Sequence, residues 1–145
     1  MKKQDSPRQS TTFPHSGVKA RIGPSPLAGV GVFALRNIQE GEAIFPGDSG
    51  EIVWIARTDL ESAHLSETDK AFYRDFAVFE ADRCGCPADF GKLTSCWYLN
   101  HASGQQEANV RCDIDGGYRF YAARKIEEGE ELTARYSEYS LPSWL

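Results

Sequence analysis

A chain of 145 residues, 41% hydrophobic and 12% aromatic, fits one folded domain with one core. No apolar run approaches the ~20 residues of a membrane span, and no apolar stretch follows Met1-Lys2-Lys3-Gln4-Asp5 to make a secretory signal, so an intracellular protein (cytoplasmic or nuclear) is the expectation. Residues 1–21 hold Lys2, Lys3, Arg8, Lys19 and Arg21 against Asp5, a net +4, so the rest carries −9 of the total −5. An acidic body suits a basic peptide partner and argues against direct binding to a phosphate backbone.

Residues 1–16 are rich in Ser, Thr, Gln, Lys and Pro and read as a disordered basic arm, with the folded domain at 17–145. Val18 to Ile22 alternates apolar and basic residues as a first strand does, and Gly23-Pro24-Ser25-Pro26 reads as a turn. Gly29-Val30-Gly31 opens like a dinucleotide fingerprint, but Val30 to Phe33 is β-branched and aromatic and Gly41 interrupts any following helix. A Gly turn leading into a strand is the better reading. Ala43-Ile44-Phe45 and Glu51 to Ala56 are strand-like, with turns between them.

Residues 58–79 break the β pattern. Thr58 or Asp59 offers one helix cap and Ser66 another, so this stretch reads as a helical insert. Asp82 to Gly91 reads as a loop, and Lys92 to Tyr98 as a short helix or turn. Asn109 to Ile114 and Tyr118 to Ala123 flank Asp115-Gly116-Gly117, a hairpin signal. Glu131 to Tyr136 is the last strand, and 137–145 an aromatic tail. The closely spaced turns predict a mainly β fold built from short strands, not βαβ units.

Cys84, Cys86, Cys96 and Cys112 lack the paired Cys-x₂-Cys spacing of a structural zinc site. Buried free thiols are expected, and no metal.

Four segments together carry a family resemblance: Gly29 to Ala34, Gly41-Glu42-Ala43-Ile44, Asn100-His101-Ala102, and Glu131-Leu132-Thr133-Ala134-Arg135-Tyr136. In this order and near this spacing they resemble the SET-domain protein-lysine methyltransferases. Two positions depart from the family pattern: Ala102 stands for a Ser, and Arg135 for a frequent Asp. The resemblance spans roughly Lys19 to Tyr139. It implies several small sheets with short helices, and a C-terminal strand threaded through a loop, an exception to ordinary chain topology. No Cys follows Cys112, so the cysteine-rich zinc segment of some members is not expected.

The resemblance implies S-adenosyl-L-methionine as cofactor and a lysine in a basic protein or peptide, histone tails among them, as substrate. It assigns Tyr136 as the catalytic residue, and Ala28, Gly29, Val30, Gly31, Asn100, His101 and Tyr136 as cofactor contacts. Trp144 is a further candidate for stacking on the cofactor, its alternative being a hydrophobic plug for the core. Phe45, Phe76, Ala134 and Tyr139 are expected along the lysine channel. Phe45 replaces a family tyrosine and Ala134 a Phe or Tyr, which leaves fewer hydroxyls and more room, so di- or trimethylation is expected. By chemistry alone, His101 reads as a core histidine and Tyr136 as a core tyrosine with a satisfied hydroxyl. A non-catalytic module of the same fold that binds basic peptides is the alternative function.

Overall fold

The computed structural model describes residues 7, 9, 13–46 and 52–145. The chain begins its main sheet with β1 (Ala20–Ser25) and β2 (Gly29–Ala34), antiparallel in the register Ala20↔Ala34 to Ser25↔Gly29. β1 runs on through Gly23-Pro24-Ser25, where the sequence suggests a turn. It is an edge strand, and there the missing N–H of Pro24 removes no ladder bond. Ala43-Ile44-Phe45 does not form a strand. It makes the single bridge Ala43↔Tyr121, as Ile38 does with Ile126.

A second, smaller sheet follows. β3 (Ile52–Ala56) leads into α1 (Arg57–Ser62) and α2 (Glu67–Phe76), then β4 (Val78–Phe79) and β5 (Arg83–Pro87), in the order β3-β5-β4. Within the stretch 58–79, α1 and α2 are helical, residues 63–66 turn between them, and β4 closes the stretch. Ser66 caps α2 by accepting from the Asp69 N–H at 3.1 Å. α1 begins at Arg57 after Ala56, without a side-chain cap, so Thr58 and Asp59 lie inside its first turn. The expected loop at Asp82 to Gly91 is in large part the central strand β5. Its composition, Arg-Cys-Gly-Cys-Pro, carries little strand propensity. Tertiary packing decides instead: Cys84 and Cys86 are buried on one face, and Gly85 pairs with Trp54.

Two 3₁₀ turns, Phe90–Lys92 and Ser95–Tyr98, lead to β6 (Asn100–His101). The predicted hairpin is present as β7 (Val110–Asp113) and β8 (Arg119–Ala122), and β9 (Glu131–Ala134) completes the sheet in the order β1-β2-β9-β7-β8. β6 also pairs with β9. Ala134 therefore has His101 on one side and Val110 on the other, both parallel. The chain between those two partners, residues 102–109, is one loop, so the last strand lies inside it. Asn109 locks it there: its side chain donates to Glu131 O at 2.9 Å and accepts from the Thr133 N–H at 2.8 Å.

The main core gathers Val32, Ile38, Ile44, Val110, Ile126 and Leu132, all at most 1% exposed. A second core under the small sheet holds Leu60, Phe79, Cys84 and Cys86. Among the described residues no helix is long and apolar enough to cross a membrane. Most of the expected arm lies outside the described residues.

Candidate active site

β9 brings three distant stretches together. Its first half pairs with β2 (Val32↔Leu132, Phe33↔Glu131) and its second half with β6 (Asn100↔Thr133). Where these strands meet, the Asn100 amide donates to Val30 O at 2.8 Å, to Glu131 Oε2 at 2.9 Å and to Ser25 Oγ at 3.3 Å. Ser25 donates to the Glu131 carboxylate at 2.8 Å and accepts from the Leu27 N–H at 3.0 Å. The network fastens the β1–β2 turn to the Asn-His segment.

Ser25 and Glu131 are absent from the sequence-derived site. Ser25 hides in a Gly-Pro-Ser-Pro stretch that reads as a turn. Glu131 had a signal: a carboxylate opening a largely apolar final strand must find partners once partly buried.

Gly31 is where the network leaves no room. A Cβ there would run into the Glu131 carboxylate and come within 2.9 Å of Ser25 Cβ and 3.0 Å of Asn100 Nδ2. Two residues earlier the situation reverses. Gly29 has φ +78° and open space where a side chain would stand, and Ala28, Gly29 and Val30 are all exposed. The turn thus presents bare backbone on the surface beside the Asn100 amide. That fits a ligand held along the main chain.

His101 is exposed and joins the two halves of the site. Its Nδ1 accepts from the Tyr136 N–H at 3.1 Å, and the two rings lie 5.1 Å apart. A nitrogen that accepts from an amide keeps its lone pair, so the neutral ring carries its proton on Nε2.

Tyr136 stands just past β9 and opens the 3₁₀ turn Tyr136–Glu138; the strand itself ends at Ala134. Its hydroxyl donates to Leu99 O. Burial pushes its pKa above the ordinary phenol value, so the group is a neutral hydrogen-bonding hydroxyl at pH 7. Tyr136 faces a cavity of about 510 Å³ walled by Phe45, Phe76, Trp97, Tyr118, Phe120 and Tyr139. Tyr139 packs edge-on against Tyr136 and Phe120 at 6.0 and 5.6 Å. Its phenol is pushed up as well, first by burial and then by Tyr136. Among the described residues its hydroxyl has no hydrogen-bond partner.

Two expected site residues lie elsewhere. Ala134 is fully buried between its two parallel partners and is not on the cavity wall. The room expected from its small side chain is closed by the sheet itself. Trp144 packs edge-on against Phe79 at 5.3 Å, donates Nε1–H to Glu80 O at 2.8 Å and lies under Arg57 at 4.9 Å. It plugs the second core and takes no part in the Asn100 network. Tyr98 packs against Phe76 and the main core.

The model of the SET domain matches residues 29–137. The chain belongs to the SET-domain family. The matched span includes Gly29, Gly31, Asn100, His101 and Tyr136. Comparison with curated protein sequences gives no match. Among solved structures, this SET domain is similar to a humanized mutant of the Chaetomium thermophilum Polycomb Repressive Complex 2 bound to an inhibitor, at 24% identity and a TM-score of 0.56 over 83% of this chain and 15% of that one. It is also similar to ctPRC2 in an autoinhibited conformation bound to S-adenosylmethionine, at 24% identity and a TM-score of 0.58 over 86% of this chain and 16% of that one. These likenesses establish a shared fold, and the SET domain spans only about a sixth of those chains.

Proposed function

We propose that this SET domain transfers methyl groups from S-adenosyl-L-methionine to the ε-amine of lysine in a basic protein or peptide, histones included. One observation carries the reading: the Tyr136 hydroxyl sits in an aromatic cavity with its proton given to Leu99 O. Its lone pairs are then free to accept from an amine N–H, which orients the nitrogen lone pair. The apolar walls disfavour an ammonium ion and shift the lysine toward its neutral, nucleophilic form, its proton passing to solvent. The exposed backbone at Ala28 to Val30, with Asn100 and His101 alongside, is the stretch that would hold the cofactor. When bound, the cofactor would supply an electrophilic methyl on a sulfonium, with a neutral thioether as the leaving group.

The count of methyl groups depends on hydroxyls around the amine. Phe45 contributes none, and this supports transfer of more than one methyl group to the same lysine. Tyr139 is the hydroxyl that opposes it.

The test is incubation with labelled S-adenosylmethionine and a panel of lysine-rich proteins, with mass spectrometry of the products. A thermal shift with S-adenosylhomocysteine runs in parallel, because a ligand of the folded state raises its melting temperature. Absence of both signals at saturating cofactor removes the reading.

A further inference from the structure

Three charged residues, Arg74, Asp75 and Arg119, line the Tyr136 cavity. Arg74 is engaged by Glu67 at 2.9 Å. Among the described residues, the side chains of Asp75 and Arg119 make no ion pair and no hydrogen bond. For Arg119 this is notable, because a carboxylate stands opposite. Asp113 is its cross-strand partner in the β7–β8 register, a position where opposite charges usually pair. The Asp113 side chain instead turns into the hairpin and accepts from the Gly116 N–H at 3.0 Å.

The backbone beneath Arg119 is held firmly. Its neighbour Tyr118 has φ +60°, a left-handed conformation that a bulky residue adopts only under constraint. The constraint is visible: Tyr118 Oη donates to Glu80 Oε2 at 2.9 Å, and its ring packs on Trp54 at 5.5 Å. Arg83 lies over the Trp54 ring at 4.0 Å and pairs with the same Glu80 at 2.9 Å. The hairpin turn is thus tied to the small sheet, and Arg119 is set beside the cavity. The other arginine-rich cleft offers a contrast. There Arg111, Arg124 and Arg135 are engaged by Glu138, Glu130 and Gln106 O.

We infer that the segment methylated at this site is of mixed charge: an acidic side chain near the target lysine is read by Arg119, and a basic one by Asp75. The inference rests on the cavity being the lysine site proposed above. It goes against the expectation from net charge, under which a uniformly basic peptide would be preferred. An exposed charge pair changes affinity by about two- to fivefold, and reversing one partner replaces attraction with repulsion.

The experiment uses the full chain and a lysine-centred peptide library. A single Glu or a single Arg replaces Ala at each of the three positions on either side of the lysine. Both kcat/KM for methylation and direct binding of dye-labelled peptides are measured. At one position Glu is expected to exceed Ala by about two- to fivefold in both readouts. Arg119→Glu inverts the preference at that position, and Asp75→Lys inverts a preference for Arg at another. Both preferences shrink as salt is raised. Melting temperature checks that the variants are folded, and Arg119→Gln, which removes the charge without repulsion, gives an intermediate profile. Identical charge profiles in wild type and Arg119→Glu overturn the inference, as does a lack of binding to every peptide. Charge-dependent binding that follows Arg119 without any methyl transfer overturns the enzymatic reading instead.

Discussion

The backbone N–H of Tyr136 donates to Nδ1 of His101 at 3.1 Å. This bond ties the second residue after the last strand to the segment whose Asn100 organises the β1–β2 turn. The two ends of the site are tied by this bond, which a Phe at 136 would keep while losing only the hydroxyl's bond to Leu99 O. Tyr136→Phe is expected to keep the fold and the S-adenosylhomocysteine thermal shift. Turnover falls about 10²-fold or more, the usual cost of losing a placed polar group at a reacting centre. Near-normal turnover would assign the role to another residue, with Tyr139 next in line.

The pH dependence follows from the two ionisable groups that would meet in the cavity. A free lysine titrates near pH 10.4 and must be neutral to react, so the rate rises with pH from about 7 to 9. Burial raises the Tyr136 pKa, so its hydroxyl stays protonated across that range and contributes no alkaline loss. A pH–rate profile that turns down between about pH 8 and 9, with protein still folded, contradicts this assignment.

Gly31→Ala tests the network. The added methyl meets the Ser25 Cβ at 2.9 Å, and neither strand can retreat without losing its ladder. Destabilisation of about 1–3 kcal/mol is expected from such overpacking, together with a smaller S-adenosylhomocysteine shift. Asn100→Ala should weaken ligand binding as well, because the turn loses its anchor at Val30 O. Unchanged ligand affinity in both variants would move the cofactor site away from this turn.

The sequence reveals the strands that alternate or are punctuated by Gly, and it reveals the β7–β8 hairpin through Asp115-Gly116-Gly117. It also reveals the Gly-x-Gly, Asn-His and final Tyr segments, because each keeps its order and spacing. It hides β5, where burial of Cys84 and Cys86 overrides weak propensity, and it hides Ser25 behind two prolines. The placing of Ala134 and Trp144 is hidden for another reason. Which wall a residue joins depends on non-local pairing, and no local period records that His101 and Val110 both flank Ala134.

Trp144 is expected to matter for stability and not for affinity. Its ring closes the second core against Phe79, and its N–H satisfies Glu80 O. Trp144→Ala should cost about 2 kcal/mol or more in denaturant unfolding, as loss of a large packed ring does. The dissociation constant for S-adenosylhomocysteine should be unchanged. A loss of affinity at full stability would restore the cofactor contact.

Tyr139 controls product distribution in this reading. Its hydroxyl is the one on the cavity wall beside Tyr136 that has no hydrogen-bond partner among the described residues. Tyr139→Phe removes it while keeping the edge-on packing on Phe120, so the fraction of highly methylated lysine should rise. Mass spectra of a peptide substrate over time decide the matter. An unchanged product ratio means that this hydroxyl does not limit the count.

Ala134 is gripped on one flank by the start of a loop and on the other by its end. A chain in which this last strand has not yet entered has neither an Asn100 anchor nor a placed Tyr136. Its native contacts join residues far apart in sequence, and closing them is the slow part of assembly. In the proposed reading, Tyr136 is therefore placed only once this strand has entered the loop. Amide hydrogens of β9 should exchange only with opening of the surrounding sheet, and a ligand gripping the Asn100 side would slow exchange at the Tyr136 side as well.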